Sequence, residues 1–107
     1  MIPSDFQLGP LSAFVSPMRK LPFANLLVTF DAAARHLSFK EAAEELFITP
    51  SAVGHQVRAL EKEHQTKLFV RLNRYLELTT IGKQYHRKIA GALQSLRRVT
   101  SELLDRS

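Results

Sequence analysis

At 107 residues, with 15 lysines and arginines against 10 aspartates and glutamates, the chain carries a formal charge of +5 and is long enough for one domain, not for a core plus a separate ligand-binding domain. A basic domain this small is drawn to polyanions, because each neutralised phosphate releases a condensed counterion; nucleic acid is the favoured partner class, with an anionic membrane surface left open by charge alone. The absence of cysteine excludes disulfides and thiolate zinc sites, no apolar run reaches the roughly 18 residues that span a bilayer, and no basic-then-apolar signal pattern opens the chain, so a cytoplasmic protein is expected.

Residues 1–20 are broken by Pro3, Pro10 and Pro17 and hold no helical period, which predicts a flexible leader; Met18 offers an alternative start. From Ala24, the run ANLLVTFDAAARHL places Leu26, Leu27, Phe30, Ala33, Ala34 and Leu37 at helical spacing. This predicts a first core helix whose small alanines permit close helix approach. His36 reads as a surface or helix-end histidine, not a ligand.

Between Ser38 and Glu61 lie two short amphipathic patterns divided by a polar break. In the first, Phe39, Ala42, Ala43 and Leu46 share a face and Lys40, Glu41, Glu44 and Glu45 meet water. Ser38 is an N-cap, and Glu41 three residues later has capping-box spacing. Phe47-Ile48-Thr49 is too short for another element, and Thr49-Pro50 marks a second helix start, over about 50–63. There Val53, Val57 and Leu60 form one stripe and Ser51, His55, Arg58 and Lys62 the opposite one. Two short helices joined by a three- or four-residue turn suit a helix-turn-helix, whose second helix enters a major groove and meets base edges. An ordinary helical hairpin with a solvated face has the same period.

Over 68–78, LFVRLNRYLEL alternates: Leu68, Val70 and Leu72 oppose Phe69 and Arg71, and Asn73-Arg74 occupies a tight turn. A small hairpin, or wing, is predicted, with Arg71 and Arg74 near its tip positioned for phosphates or a narrow minor groove. From Thr79 onward Ile81, Tyr85, Ile89, Ala92, Leu96, Val99 and Leu103 form a heptad-like stripe. About 25 residues at 1.5 Å each make a rod nearly 40 Å long, more than so small a domain covers, so pairing with a second copy is expected. Gly82 and Gly91 weaken this helix, and Lys83, Arg87, Lys88, Arg97 and Arg98 make its outer side basic.

The motifs FDAAARHLSFKEAAEEL, TPSAVGHQVRALE, LFVR and LTTIG, from Leu21 to about Ser107, closely resemble the N-terminal DNA-binding region of LysR-type transcriptional regulators. The resemblance implies a mainly α fold, a winged helix-turn-helix followed by a long C-terminal linker helix that dimerises, in regulators that bind interrupted palindromes in double-stranded DNA. It implies DNA contacts at Pro50, Ser51, Ala52, Gly54 and His55, at Arg74 in the wing and at the Ser38 hydroxyl. Together with the residue patterns, the expected DNA-binding set is Ser38, Thr49, Pro50, Ser51, Ala52, Gly54, His55, Arg58, Lys62, Arg71 and Arg74. The chain divides accordingly into a leader (1–20), a winged helix-turn-helix (21–78) and a linker helix (79–107).

Three departures stand out. Gly54 occupies a position where the family usually has serine. His64, Gln65 and Lys67 replace a leucine-glycine pair and a following proline, so the left-handed helix stop falls to Gln65 or a different turn. The effector-sensing domain of such regulators is missing, which suggests an excised fragment. No catalytic constellation or cofactor motif appears: the serines lack a His and Asp arrangement, there is no glycine-rich phosphate loop or HExxH pair, and His55 and His64 are nine residues apart. The rival to a DNA reader is a winged helix that binds a protein partner.

Overall fold

The computed structural model describes residues 24–106; the predicted leader, Met18 and the first three residues of the predicted head lie outside them. In chain order the elements are α1 (Ala24–His36), α2 (Phe39–Leu46), α3 (Pro50–His64), β1 (Phe69–Leu72), β2 (Tyr75–Leu78) and α4 (Thr80–Asp105). This is the mainly α, winged helix-turn-helix architecture with a long last helix that the sequence predicts.

The small side chains of α1 let its neighbours approach from nearly all round: Thr29, Phe30, Asp31, Ala32, Ala33 and Ala34 are all buried. The predicted apolar stripe is therefore too narrow, since Thr29, Asp31 and Ala32 lie outside it. Leu37 is also corrected. It is 45% exposed, because the helix stops one residue earlier and Leu37 turns left-handed at φ 50°, its N–H returning to the Ala33 carbonyl. Phe30 is the hub of the core, with ring centroids 5.7 Å from Phe69, 5.5 Å from Tyr85 and 5.8 Å from His86.

Ser38 caps α2 by accepting from the Glu41 N–H. The capping box is not what the Glu41 carboxylate serves: it faces His36 Nδ1 at 3.3 Å. Arg35 ties α1 to α2, donating from Nε to Asp31 and from both terminal nitrogens to Glu45. That guanidinium, then His36, hold the Glu45 carboxyl down to about 2. The turn between α2 and α3 uses Phe47 as a left-handed stop, with the Ile48 N–H reaching back to the Ala43 carbonyl. Phe47 itself is 94% exposed.

The missing glycine after α3 is resolved in the same way. Gln65 adopts φ 50° and ψ 43°; its N–H bonds the Lys62 carbonyl and the Thr66 N–H bonds the Glu61 carbonyl, a Schellman closure on a non-glycine residue. The chain then enters an antiparallel hairpin in register Phe69↔Leu78 through Leu72↔Tyr75, closed by Asn73-Arg74, with Asn73 left-handed at φ 53°. Burial in the wing does not follow the predicted alternation. Leu68 and Phe69 are both buried, while Val70 and Leu72 are exposed, because only the base of the ribbon meets the helices.

Candidate nucleic-acid interface

α3 is placed by its apolar stripe. Val53, Val57 and Leu60 are buried in the cluster built on Phe30, and the Thr29 hydroxyl donates to Gln56, which fixes the helix against α1. Thr49 caps its start by accepting from the Ala52 N–H, and Pro50 occupies the first turn where no N–H is missed. What this leaves to solvent is Pro50, Ser51, His55, Arg58 and Lys62, with Ala52 half-buried. Gly54 is on the inner side. A methyl group there would meet the Phe39 ring at an ordinary contact distance of 3.6 Å and the mobile end of Arg58 at 3.2 Å.

The wing and the start of α2 come together. Ser38, Lys40, Arg71 and Arg74 line one hollow of about 250 Å³ with Phe39 and Leu76. The Arg71 guanidinium carbon lies 5.8 Å from the Phe39 ring centroid, which holds this exposed cation beside the helix start. Three cationic side chains thus line a concave surface beside the capped start of α2, suited to a phosphate. Lys40 reads from sequence only as a solvated residue; its place here depends on the hairpin folding back onto α2. A second cationic group, Arg58, Lys62 and Lys67, lines a groove at the C-terminal end of α3 together with Glu61, Gln65 and Thr66. Lys67 was legible only as a departure from proline.

The predicted stripe on α4 divides in two. Tyr85 packs on Phe30 as part of the head's own core, and burial raises its phenol pKa. Ile81 borders a small apolar hollow with His64, Thr66, Leu68 and Tyr85, and Ile89 is half-buried. Ala92, Leu96, Val99 and Leu103 are exposed, joined by Leu104, whereas Leu93, off the stripe, is buried. A long helix with Leu96, Val99 and Leu103 exposed along its distal half presents an apolar surface to solvent.

A winged helix-turn-helix with an exposed polar face on its second helix, cationic side chains at the C-terminal part of that helix and on the wing, and a helical stem exposed along its distal half is the class of fold that nucleic-acid readers use. Comparison with known proteins agrees with that class. Residues 24–83, more than half of the chain, match the bacterial regulatory helix-turn-helix proteins of the lysR family, and the chain belongs to that family.

The chain is 49% identical over 89 residues to the glycine cleavage system transcriptional activator of Escherichia coli strain K12, covering 83% of this chain and 29% of that protein. It is 47% identical over 77 residues to the regulator DsdC of the same strain, covering 72% of this chain and 24% of that protein. It therefore spans less than a third of the curated relatives it matches. Among solved structures, the BenM DNA-binding domain in complex with benA site 1 DNA superposes with a TM-score of 0.70 at 25% identity, over 76% of this chain and 91% of that one. The CbnR DNA-binding domain in its DNA complex gives 0.67 at 25% identity, over 76% and 93%. Among the described residues no helix is long and apolar enough to cross a membrane.

Proposed function

We propose that this chain is the DNA-reading part of a transcriptional regulator, working in the cytoplasm as a homodimer held by α4, with no catalytic role and with effector sensing left to a domain such as its longer relatives have room for. The α3 segment 50–63 enters the major groove, with Ser51 and His55 near base edges and Arg58 and Lys62 toward phosphates. The wing, 68–78, lies on the adjacent backbone or minor groove through Arg71 and Arg74. In this reading Ser38, Thr49, Pro50, Ala52 and Gly54 shape the surface that meets DNA, residues 21–78 are the head and 79–107 the linker. The observation that carries it is the sidedness of α3, whose Val53, Val57 and Leu60 are buried while Ser51, His55, Arg58 and Lys62 are all exposed. The solved DNA complexes of BenM and CbnR support it.

Selection from a random duplex pool at near-physiological salt tests the reading. A two-fold symmetric motif with half-sites about one helical turn apart is expected. Retention of no duplex at all sinks it in favour of a protein-binding winged helix. Within that site, Arg74→Ala should weaken binding across all sequences and reduce the slope of log affinity against log salt by about 1, whereas His55→Ala should relax preference at particular base pairs by about 1–3 kcal/mol. Both variants binding like the parent would mean that this docking is wrong.

The dimer has its own test. Leu96 and Val99 are 63% and 58% exposed in the single chain, so charges there leave the head intact but become buried and unpaired in a helix pair. Leu96→Glu with Val99→Glu is expected to shift sedimentation equilibrium from the dimer mass to the 12.1 kDa of one chain. A parent chain that already sediments as a monomer would remove α4 as a dimer stem.

A further inference from the structure

Two neighbouring polar residues on α4 reach away from each other into the head. The Tyr85 hydroxyl hydrogen-bonds His64 Nε2 at 3.2 Å, at the last residue of α3, and the two rings meet edge-on at 5.5 Å. His86 Nε2 donates at 2.9 Å to Asp31 Oδ1, on α1. Asp31 is only 2% exposed, so this acceptor cannot exchange freely with water. Its second oxygen takes Arg35 Nε at 3.0 Å and lies 3.8 Å from Arg97 Nη2, which stands three turns further along α4. A buried carboxylate thus holds the stem at His86, with Arg97 only a loose, largely exposed ion pair beyond it, while the recognition helix holds it through Tyr85.

Apolar packing is non-directional and leaves a helix free to tilt; hydrogen bonds to a buried carboxylate are angular and strong. The lever is long. From His86 to Asp105 the stem extends about 28 Å at 1.5 Å per residue, so a tilt of about 10° at the head moves its far end by about 5 Å. One base pair rises only about 3.4 Å.

We propose that Tyr85, His86 and Asp31 form a two-sided clamp that fixes the direction of α4 relative to α3, and that they are positioning residues setting the half-site spacing a dimer accepts. This rests on the DNA-reading homodimer proposed above. None of the three belongs to the face that meets DNA: they act through the stem, by determining where the second α3 is held.

The sequence has no cysteine, so single cysteines introduced for Ala59 on α3 and Glu102 on α4, both exposed, take spin labels cleanly. Labelled chain diluted in unlabelled chain reports distances within one protomer by double electron–electron resonance. Tyr85→Phe keeps the ring on Phe30 and loses only the hydroxyl; combined with His86→Leu it opens the clamp, and His86→Gln restores a donor toward Asp31. The parent should give one narrow distance, the opened variant a distribution broader by several Å, and the restored variant a narrowing. On duplexes whose half-sites are separated in steps of one base pair, the parent's preference of about tenfold or more for one spacing should fall to about threefold or less, with affinity for a single half-site unchanged within about twofold.

Unchanged label distances in a folded opened variant overturn the clamp. Broadened distances with an undiminished spacing preference, or a loss confined to single half-site affinity, overturn its role in spacing. If the parent binds no duplex, the DNA reading fails on its own, and with it the spacing role; the label distances then still decide whether these residues hold the stem.

Discussion

Gly82→Ala is expected to destabilise the chain by about 1–3 kcal/mol or more, while Gly91→Ala, the same change nine residues later on the same helix, stabilises it by up to about 1 kcal/mol. At Gly82 an added methyl carbon would stand 2.2 Å from the Leu68 carbonyl oxygen and 3.1 Å from its carbon. Backbone cannot rotate out of the way as a side chain can. The contact is also fixed from both ends, because the Thr79 N–H bonds that same Leu68 oxygen at 3.0 Å and the Thr79 hydroxyl donates to the Lys67 carbonyl. Relief requires the first turn of α4 to lift from the base of the wing. Around Gly91 nothing lies within 4 Å, so alanine there only removes backbone freedom from the unfolded chain. Thermal melts at one fixed protein concentration decide it, since melting of an associating chain depends on concentration. Each kcal/mol moves the midpoint by roughly 4–8 °C in a domain of this size. Two substitutions that shift the midpoint alike would show that α4 does not sit against the Leu68 carbonyl at this distance.

The contrast between these glycines marks the limit of what was legible beforehand. Helical period and capping chemistry are local, so α1, α2, α3, the wing and α4 were all readable, as were the caps at Ser38 and Thr49, whereas the stop after α3 stayed open between Gln65 and a different turn. Both glycines read simply as weak points of a long helix, because the reason for one of them is a carbonyl fourteen residues away. The same holds for the polar interior. Asp31, Glu61 and Thr29 interrupt apolar patterns and look like outward residues until the partners that satisfy them are in place. In the candidate site, the exposed face of α3 followed from its period alone. The meeting of Lys40 with Arg71 and Arg74 did not, since it depends on the angle at which the hairpin returns to α2. Tyr85 was misassigned wholly to a partner helix for a related reason. A heptad stripe gives the side of α4 that is apolar, and does not say that Tyr85 within it is spent on the chain's own core while Ile81, 54% exposed, is not.

Glu61→Ala should cost about 2–5 kcal/mol, the largest loss expected of any exchange to alanine of a charged residue in α3. Glu61 is 8% exposed, and one carboxylate oxygen accepts both the Leu68 N–H at 2.8 Å and the Phe69 N–H at 3.1 Å. Those two amides open the wing, and their residues are 2% and 7% exposed, so water does not replace the carboxylate once it is gone. Each buried donor left unmade costs about 1–3 kcal/mol. Lys67 Nζ, 4.0 Å from the other oxygen and 79% exposed, adds little, because an ion pair open to solvent is screened. The contrast with Glu61→Gln isolates the cause. Glutamine keeps an acceptor at the same reach and loses only the charge, which contributes about half the strength of such bonds, so a loss nearer 1 kcal/mol is expected. Amide exchange supplies a second, local readout: in the alanine variant Leu68 and Phe69 should lose protection well before the amides of α1, since the base of the wing is released while the Phe30 core remains. A midpoint within about 2 °C of the parent, with both amides still protected, would mean that the wing is held by apolar packing of Leu68 and Phe69 alone. The expected result gives Glu61 a part in recognition without any contact to DNA, because it joins the helix that carries Ser51 and His55 to the ribbon that carries Arg71 and Arg74. Under the proposed DNA reading, that carboxylate would set the separation of these two groups of side chains.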